Sequence, residues 1–446
     1  MKIILRKLFA PVLLALAVPA SLLPAQVQAQ SAAVCEQPVT VQAGDTLSTL
    51  ATRYLGSALA YGRIVTASNA AAALDASFAP IQDPNVIAVG WKLCVSAAGD
   101  APAAPAQDAV QEQTPEQEQS LETAQDAVAA EDSLPIWHHR LQEGAPHPLT
   151  IDYLRSQDYP GSAITVEQTL APGSNYNRYL VSYRSEGLKI YALMTVPQGE
   201  KPASGWPAIV FNHGYIPPEV YRPTERYVAY VDGFARSGYV VFRPDYRGHA
   251  DSEGEPISAY GAPDYTIDVL NALASVRQHP DVDPQRLGMW GHSLGGFITV
   301  RAMVTAGDIK AGVIWAGVVA SYPDILERWR SRRPPATVPQ RARRWRDDLV
   351  AEFGAPEENP AFWASISANS YAAELSGPVQ LHHGTNDADV PLAFSELLHQ
   401  EILDAGRNVE FYAYEGDDHN LSNYFSTAMQ RSIAFFDAHV KASKEE

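Results

Sequence analysis

The sequence predicts an α/β architecture: a mostly parallel sheet covered by helices on both faces, preceded by a small β-α-α-β domain. Three observations lead there. Compact apolar runs alternate with stretches of helical spacing between 178 and 414. One run ends in Gly291-His292-Ser293-Leu294-Gly295 just before a helical stretch. Residues 97–133 resemble neither flank in composition and divide a small part from a large one.

In the small part, 39–42 alternates like a strand, and Gly44-Asp45-Thr46 can turn the chain into a helix. Leu47, Leu50, Ala51, Tyr54 and Leu55 follow at helical spacing. A second helix includes Ile64, Val65 and Ala67 and ends near Asn69, and 87–95 reads as a turn and closing strand. In the large part, 178–184 and 188–196 form a hairpin about Ser185-Glu186-Gly187. Buried strands are expected at 208–211, 239–242, 286–290, 313–316, 379–382 and 409–414, with helices at 227–237, 266–277 and 297–304. Strands alternating with helices imply the parallel sheet.

Composition limits the function. The 446 residues carry 33 Lys+Arg against 51 Asp+Glu, a formal charge of −18, with 46% apolar and 19% charged residues. That excludes a wholly disordered chain and argues against nucleic acid as a partner, since phosphate binding wants a basic face. The segment 97–133 holds nine of the acids and no aromatic or basic residue. It is read as an acidic Ala/Gln/Pro/Glu linker, so half the net charge sits in a tether and says little about the folded parts. Two cysteines exclude a disulfide-dense scaffold and any Cys-rich metal cluster.

Residues 1–29 read as a signal peptide: a basic start, an apolar run over 8–20, and Val27-Gln28-Ala29 before the expected cut. As an uncleaved anchor, that run would span only about 20 Å of a roughly 30 Å bilayer core. No other run is long and apolar enough, so no membrane span is expected after cleavage, and the protein is read as exported: periplasmic, cell-wall associated or secreted. In an oxidising compartment Cys35 and Cys94 can pair, which stabilises by roughly 4 kcal/mol in the chain-entropy model. Lipid modification of Cys35 is the weaker reading, because Ala32-Ala33-Val34 lacks the preceding pattern.

The chemistry lies in the large part. Gly291-His292-Ser293-Leu294-Gly295 sits between strand and helix, the context in which G-x-S-x-G exposes a nucleophilic serine on a sharp turn. Glycines at 291 and 295 avoid clashes there, and the helix N-terminus favours developing negative charge. A serine needs a base, and the base needs an orienting acid. After the strand at 379–382 come Asp387 and Asp389; Asp387 is chosen as the acid, with Asp389 the alternative or a partner for loop amides. His419, after the last strand, is the general base, in the order Ser, acid, His. His213, His292, His382 and His383 lack that combination of order and strand-end position. Asn212-His213-Gly214-Tyr215 follows the first central strand, so the amides of Tyr215 and Leu294 are the expected oxyanion donors. The loop Arg243-Pro244-Asp245-Tyr246-Arg247-Gly248-His249 is read as structural.

Residues 322–370 are too long for a plain connection and are expected to form a lid, with Trp329, Trp345, Phe362 and Trp363 over the cleft or lining an acyl pocket. Eight arginines fall within 328–346. They are read first as a solvated face paired with local acids, and second as a grip on an anionic substrate. No H-E-x-x-H or clustered Cys/His spacing occurs, so neither a metal site nor a cofactor is expected.

Two resemblances follow from these words. Val41-Gln42-Ala43-Gly44-Asp45-Thr46-Leu47 and Asp83-Pro84-Asn85-Val86-Ile87 resemble a LysM module over 31–96. That likeness implies binding of a glycan containing N-acetylglucosamine, such as peptidoglycan, with Gly44, Asp45, Thr46, Asn85 and Ile87 lining the groove; a spacer without ligand is the alternative. Asp283-Pro284, the Gly291–Gly296 box, His383-Gly384-Thr385-Asn386-Asp387 and Tyr414-Glu415-Gly416-Asp417-Asp418-His419 resemble the prolyl oligopeptidase-like serine peptidases of the α/β-hydrolase fold. This resemblance covers roughly 178–440, within a catalytic domain read as 134–446, and assigns nucleophile, acid and base to Ser293, Asp387 and His419. Full-length peptidases of this kind carry a β-propeller, and 134–177 is too short for one. The expected substrate is therefore a peptide or an ester, with carboxylesterase or acetyl esterase the rival activity and a non-catalytic wall-binding protein a second class.

Overall fold

The computed structural model describes residues 35, 37–42, 47–55, 61–75, 77–81, 87–88, 90–95, 134–329 and 344–442. The expected signal segment, the linker 97–133 and most of the arginine tract lie outside them. The chain forms two compact units, 1–107 and 108–446.

In the small unit, strands β1 (Gln37–Thr40) and β2 (Lys92–Val95) pair antiparallel, with Val39 opposite Leu93. Helices α1 (Leu47–Leu55) and α2 (Tyr61–Leu74) supply Leu47, Leu50, Ala51 and Ile64 to the core between them and the sheet. The second helix runs beyond Asn69 because Ala70–Ala73 favour helix. Asn69 instead pins a loop: its Nδ2 donates to the Ile81 carbonyl at 3.0 Å and its Oδ1 accepts the Ile81 amide at 2.7 Å. Cys35 and Cys94 are joined by a disulfide.

The large unit is built on a nine-stranded sheet ordered β11-β10-β9-β8-β6-β7-β5-β4-β3. The strands are β3 (Thr165–Leu170), β4 (Tyr176–Ser185), β5 (Leu188–Pro197), β6 (Trp206–Asn212), β7 (Val240–Pro244), β8 (Val282–His292), β9 (Ala311–Trp315), β10 (Val379–Gly384) and β11 (Val409–Tyr414). From β7 to β11 every neighbouring pair is parallel, and β5, β4 and β3 continue antiparallel to the edge. The two-residue period of a strand feeds both faces. Ala208 and Val210 enter one apolar core with Ile267, Ile298 and Leu398, while Ile209 and Phe211 enter the other with Tyr230, Phe234 and Phe436. The edge strand β3 escapes the sequence reading because Thr-Val-Glu-Gln-Thr is exposed on both faces and leaves no apolar alternation.

One buried ionic cluster fastens the start of this unit to the sheet. Arg247 contacts Asp264 at 2.8 Å, Asp268 at 2.6 Å and Glu186 at 2.9 Å, and Arg140 contacts Asp264 at 2.6 Å. Burial pushes the Asp264 carboxyl up, but His139, Arg140 and Arg247 together hold it well below the usual carboxylate range. The loop after β7 is thus structural in its contacts, as its sequence suggests.

Candidate active site

The site forms at the carboxyl ends of β6, β8, β10 and β11, where parallel strands hand over to loops. Ser293 stands between β8 and helix α3 (Leu294–Thr305) with φ 55° and ψ −118°, a conformation few non-glycine residues adopt. Its backbone is fixed on both sides: the Ser293 amide donates to the Trp315 carbonyl at 3.0 Å, and its own carbonyl accepts from Gly296 and Val318. The glycine at 295 is a matter of space, since a Cβ there would lie 2.0 Å from the Asn212 carbonyl oxygen.

Asp387 follows β10 with its side chain fully buried. Its Oδ1 accepts the amides of Asp389 at 2.6 Å and Val390 at 2.9 Å, and its Oδ2 lies 2.7 Å from His419 Nδ1. A second imidazole joins it: His383 Nε2 is 3.1 Å from the same oxygen, while His383 Nδ1 meets Ser395 Oγ at 2.8 Å. Burial pushes the Asp387 carboxyl up, yet the hydrogen bonds from His383, His419 and the Val390 amide hold it well below its ordinary range. Asp387 therefore stays ionised. His383 is the partner that sequence reasoning missed; the signal was its position four residues before Asp387, at the end of a strand.

His419 sits on a loop organised by Asp417, which is fully buried and accepts from the amides of Asp418, Asn423 and Tyr424. Its side chain is 13% exposed, open enough to reach a substrate. The His419 ring lies 4.6 Å from the ring of His292, the residue just before Ser293, so His419 and the elbow are brought together. Asp389, the alternative acid, donates its amide to Asp387 and places a carboxylate oxygen within 4.8 Å of an Asp387 carboxylate oxygen and a His419 ring nitrogen.

The loop after β6 runs across the elbow. A Cβ on Gly214 would meet Ser293 Cβ at 3.2 Å, so the peptide leading into Tyr215 passes directly beside the serine. Leu294 opens α3, where the first amides have no partner within the helix. Tyr215 itself is 38% exposed.

The insertion divides differently from expectation. Trp345 and Trp363 are buried in the main core, and Phe362 stacks on Phe353 at 3.7 Å. Trp329 alone of the four reaches the acid loop, its Nε1 donating to the Asp389 carbonyl at 3.0 Å. In the small unit, Ile87 packs against the core, while Gly44, Asp45, Thr46 and Asn85 lie outside the described residues. No described helix is long and apolar enough to cross a membrane.

A serine on a strained strand-to-helix turn, with a buried acid holding a histidine beside it on an α/β sheet, defines the class: a serine hydrolase. Residues 227–443 match the model of the prolyl oligopeptidase family, and residues 39–67 match the LysM domain. Residues 227–443 of the large unit thus carry a domain that matches the prolyl oligopeptidase family, on a chain with an N-terminal LysM domain. The chain is 26% identical over 264 residues to the uncharacterized peptidase YtmA of Bacillus subtilis (strain 168), covering 59% of this chain and 92% of that one. It is also 26% identical to the uncharacterized peptidase YuxL of the same organism, covering 54% of this chain but 35% of the relative. The acetyl xylan esterase from Paenibacillus sp. R4 shares the fold, with a TM-score of 0.50, 17% identity, and coverage of 65% of this chain and 92% of that one.

Proposed function

We propose that this protein is an exported serine peptidase that cleaves through an acyl-enzyme on Ser293, with His419 as general base and acid and Asp387 as its orienting carboxylate. The observation that carries the reading is the 2.7 Å contact of Asp387 Oδ2 with His419 Nδ1, made beside the elbow that presents Ser293. With Nδ1–H donated to the ionised acid, Nε2 of His419 is the lone pair left to take the serine proton. Ser293 Oγ then attacks the carbonyl carbon, and the oxyanion forms where the Leu294 and Tyr215 amides can donate. His419 returns its proton to the leaving group as the scissile bond breaks, and a water activated by the same imidazole releases the acyl group.

Export and wall attachment belong to the same proposal. The signal-like segment 1–29, the Cys35–Cys94 disulfide and the LysM domain support an oxidising, extracytoplasmic setting. The LysM domain would hold the enzyme on peptidoglycan, with 97–133 as the tether, and raise its concentration near wall-bound substrate.

Ester cleavage is the second reading. Residues 134–164 hold a 3-10 turn at His138–Arg140 and a short helix at Ile151–Ser156, with no propeller among them to gate oligopeptides by size. A paired assay decides: a p-nitrophenyl acyl ester and an alanyl or prolyl p-nitroanilide, each with the native chain and with Ser293→Ala. Peptide turnover abolished by the substitution supports the peptidase; ester turnover alone makes the chain an esterase; turnover unchanged in Ser293→Ala overturns the mechanism.

A further inference from the structure

Two side chains outside the triad, the buried His292 and the partly buried Tyr227, join the three loops that would have to cooperate in catalysis. The Gly214 amide donates to Tyr227 Oη at 2.8 Å, Tyr227 Oη lies 2.8 Å from His292 Nδ1, and His292 Nε2 lies 2.9 Å from the His419 carbonyl oxygen. With the His292 ring neutral, as its burial dictates, only one proton arrangement satisfies all three contacts. The His419 carbonyl can only accept, so Nε2 of His292 carries the proton. Its Nδ1 then accepts, and the Tyr227 hydroxyl, already accepting from the Gly214 amide, donates to it. The series runs in one direction from the loop after β6, through the residue preceding the nucleophile, to the backbone of the base.

We propose that Tyr227 and His292 are positioning residues that lock the oxyanion loop and the His419 loop onto the Ser293 elbow as one unit. This rests on the catalytic reading given above. Neither residue touches the reacting atoms; each acts through the groups it holds.

The Tyr227 ring packs edge-on against Phe211 and Tyr230, a role other apolar residues could fill, but its backbone and its hydroxyl ask for a further account. Tyr227 has φ 60° and ψ 20°, left-handed backbone that favours glycine or asparagine, and it occupies the N-cap position of the helix Val228–Arg236 without making a side-chain cap. A small polar residue would suit both backbone and helix better. What tyrosine supplies is reach: its hydroxyl arrives between the Gly214 amide and the His292 ring. Backbone strain concentrated at such a residue is characteristic of functional sites. Gly214 closes the same junction, since a Cβ there would lie 2.6 Å from Tyr227 Oη and 3.1 Å from His292 Nδ1.

The arrangement also governs charge. Burial drives the His292 imidazole down to about 3, helped by the neighbouring His419, so it stays neutral at any working pH. A neutral ring 4.6 Å from His419 leaves the imidazolium formed during attack without a second cation beside it.

The test is a double-mutant cycle on the full-length protein with Tyr227→Phe, His292→Gln and the pair, read as kcat and KM for p-nitrophenyl acetate, with Tm for each variant. Loss of positioning is expected to lower kcat ten- to a hundredfold in each single variant with KM within threefold. Because both belong to one linked series, the double variant should be no more than threefold below the poorer single. Both singles retaining kcat within threefold of the native protein, or losses that multiply in the double, would overturn the proposal. Tyr227→Phe removes only a hydroxyl; should His292→Gln fail to fold, an unchanged kcat in Tyr227→Phe is itself sufficient to reject the link, and a tenfold loss at constant KM and Tm supports it. A fluorophosphonate probe separates the two levels. Native protein unlabelled at Ser293 refutes the catalytic reading and the link with it, whereas normal labelling with unaltered variants refutes the link alone.

Discussion

Lowering the pH from 8 to 5 should destabilise the large unit by at least about 3 kcal/mol, well before ordinary carboxylates protonate. The cause is a set of fully buried histidines. Burial holds His249 down at about 4, and His292 and His382 at about 3. Each is depressed below the unfolded value near 6.5, so the unfolded chain takes up protons first as pH falls. The stability they contribute is complete above that value and is lost on the way down to the folded one. Between pH 8 and pH 5 each gives up about 2 kcal/mol by that linkage. Asp245 works in the opposite sense: burial, only partly offset by the Tyr221 hydroxyl and Arg243, raises it to about 7. The folded state therefore binds this proton first, recovering about 2 to 3 kcal/mol over the same interval. His213, buried and held well below its usual value, and His147, held down at about 4 by burial, add to the loss and make that net figure a lower bound. Asp264 and Asp387 are depressed carboxylates whose contribution is retained above about pH 4, so they stay out of this window.

The assay is urea unfolding at pH 8, 7, 6 and 5, followed by tryptophan fluorescence, since seven of the eight tryptophans lie in the large part. His382→Gln provides the internal control. His382 Nδ1 accepts from Tyr414 Oη at 2.7 Å and its Nε2–H meets Gln380 Oε1 at 2.7 Å, polar contacts that an amide can partly replace. The variant should lose about 2 kcal/mol of the pH dependence. A free energy at pH 5 equal to or above that at pH 8, or a His382→Gln profile as steep as the native one, would refute the reasoning.

Three further outcomes are expected. Asp387→Asn should reduce kcat by about a thousandfold or more, because the wrong imidazole tautomer would face the serine, while Asp389→Asn should leave it within about threefold; steady-state kinetics on either substrate checks both. Asp268→Asn should destabilise the large unit by about 3 to 5 kcal/mol, since Arg247 would lose a buried partner at 2.6 Å, and urea midpoints at pH 8 read the loss. Reducing the Cys35–Cys94 disulfide should lower the melting of the small unit by about 2 to 4 kcal/mol without changing ester or peptide turnover in solution, measurable by calorimetry and by the p-nitrophenyl assay in parallel.

What the sequence discloses, and what it conceals, follows from how far apart the interacting residues lie along the chain. The elbow is legible because its requirements are local: the strand, the turn and the helix occupy consecutive residues, and Gly295 must lack a side chain to clear Asn212. The central strands are legible because burial on both faces demands unbroken apolar runs, as 208–211 shows. The edge strand Thr165–Leu170 is illegible because its exposure imposes no pattern. The insertion misleads for the opposite reason. Four large aromatics in a long connection suggest a lid, yet Trp345 and Trp363 are spent on the core, and nothing local separates a buried tryptophan from one over a cleft. The long-range links are the least visible. His383 can be placed beside Asp387 by its strand-end position, but the contacts from Tyr227 to His292 and from His292 to His419 span 65 and 127 residues. Their only trace in the sequence is a tyrosine before a helix and a histidine in the elbow, each unremarkable alone. Residues with the most to say about how the loops are held together are thus those whose local context demands them least, and the left-handed backbone of Tyr227 is where the folded structure exposes that conflict.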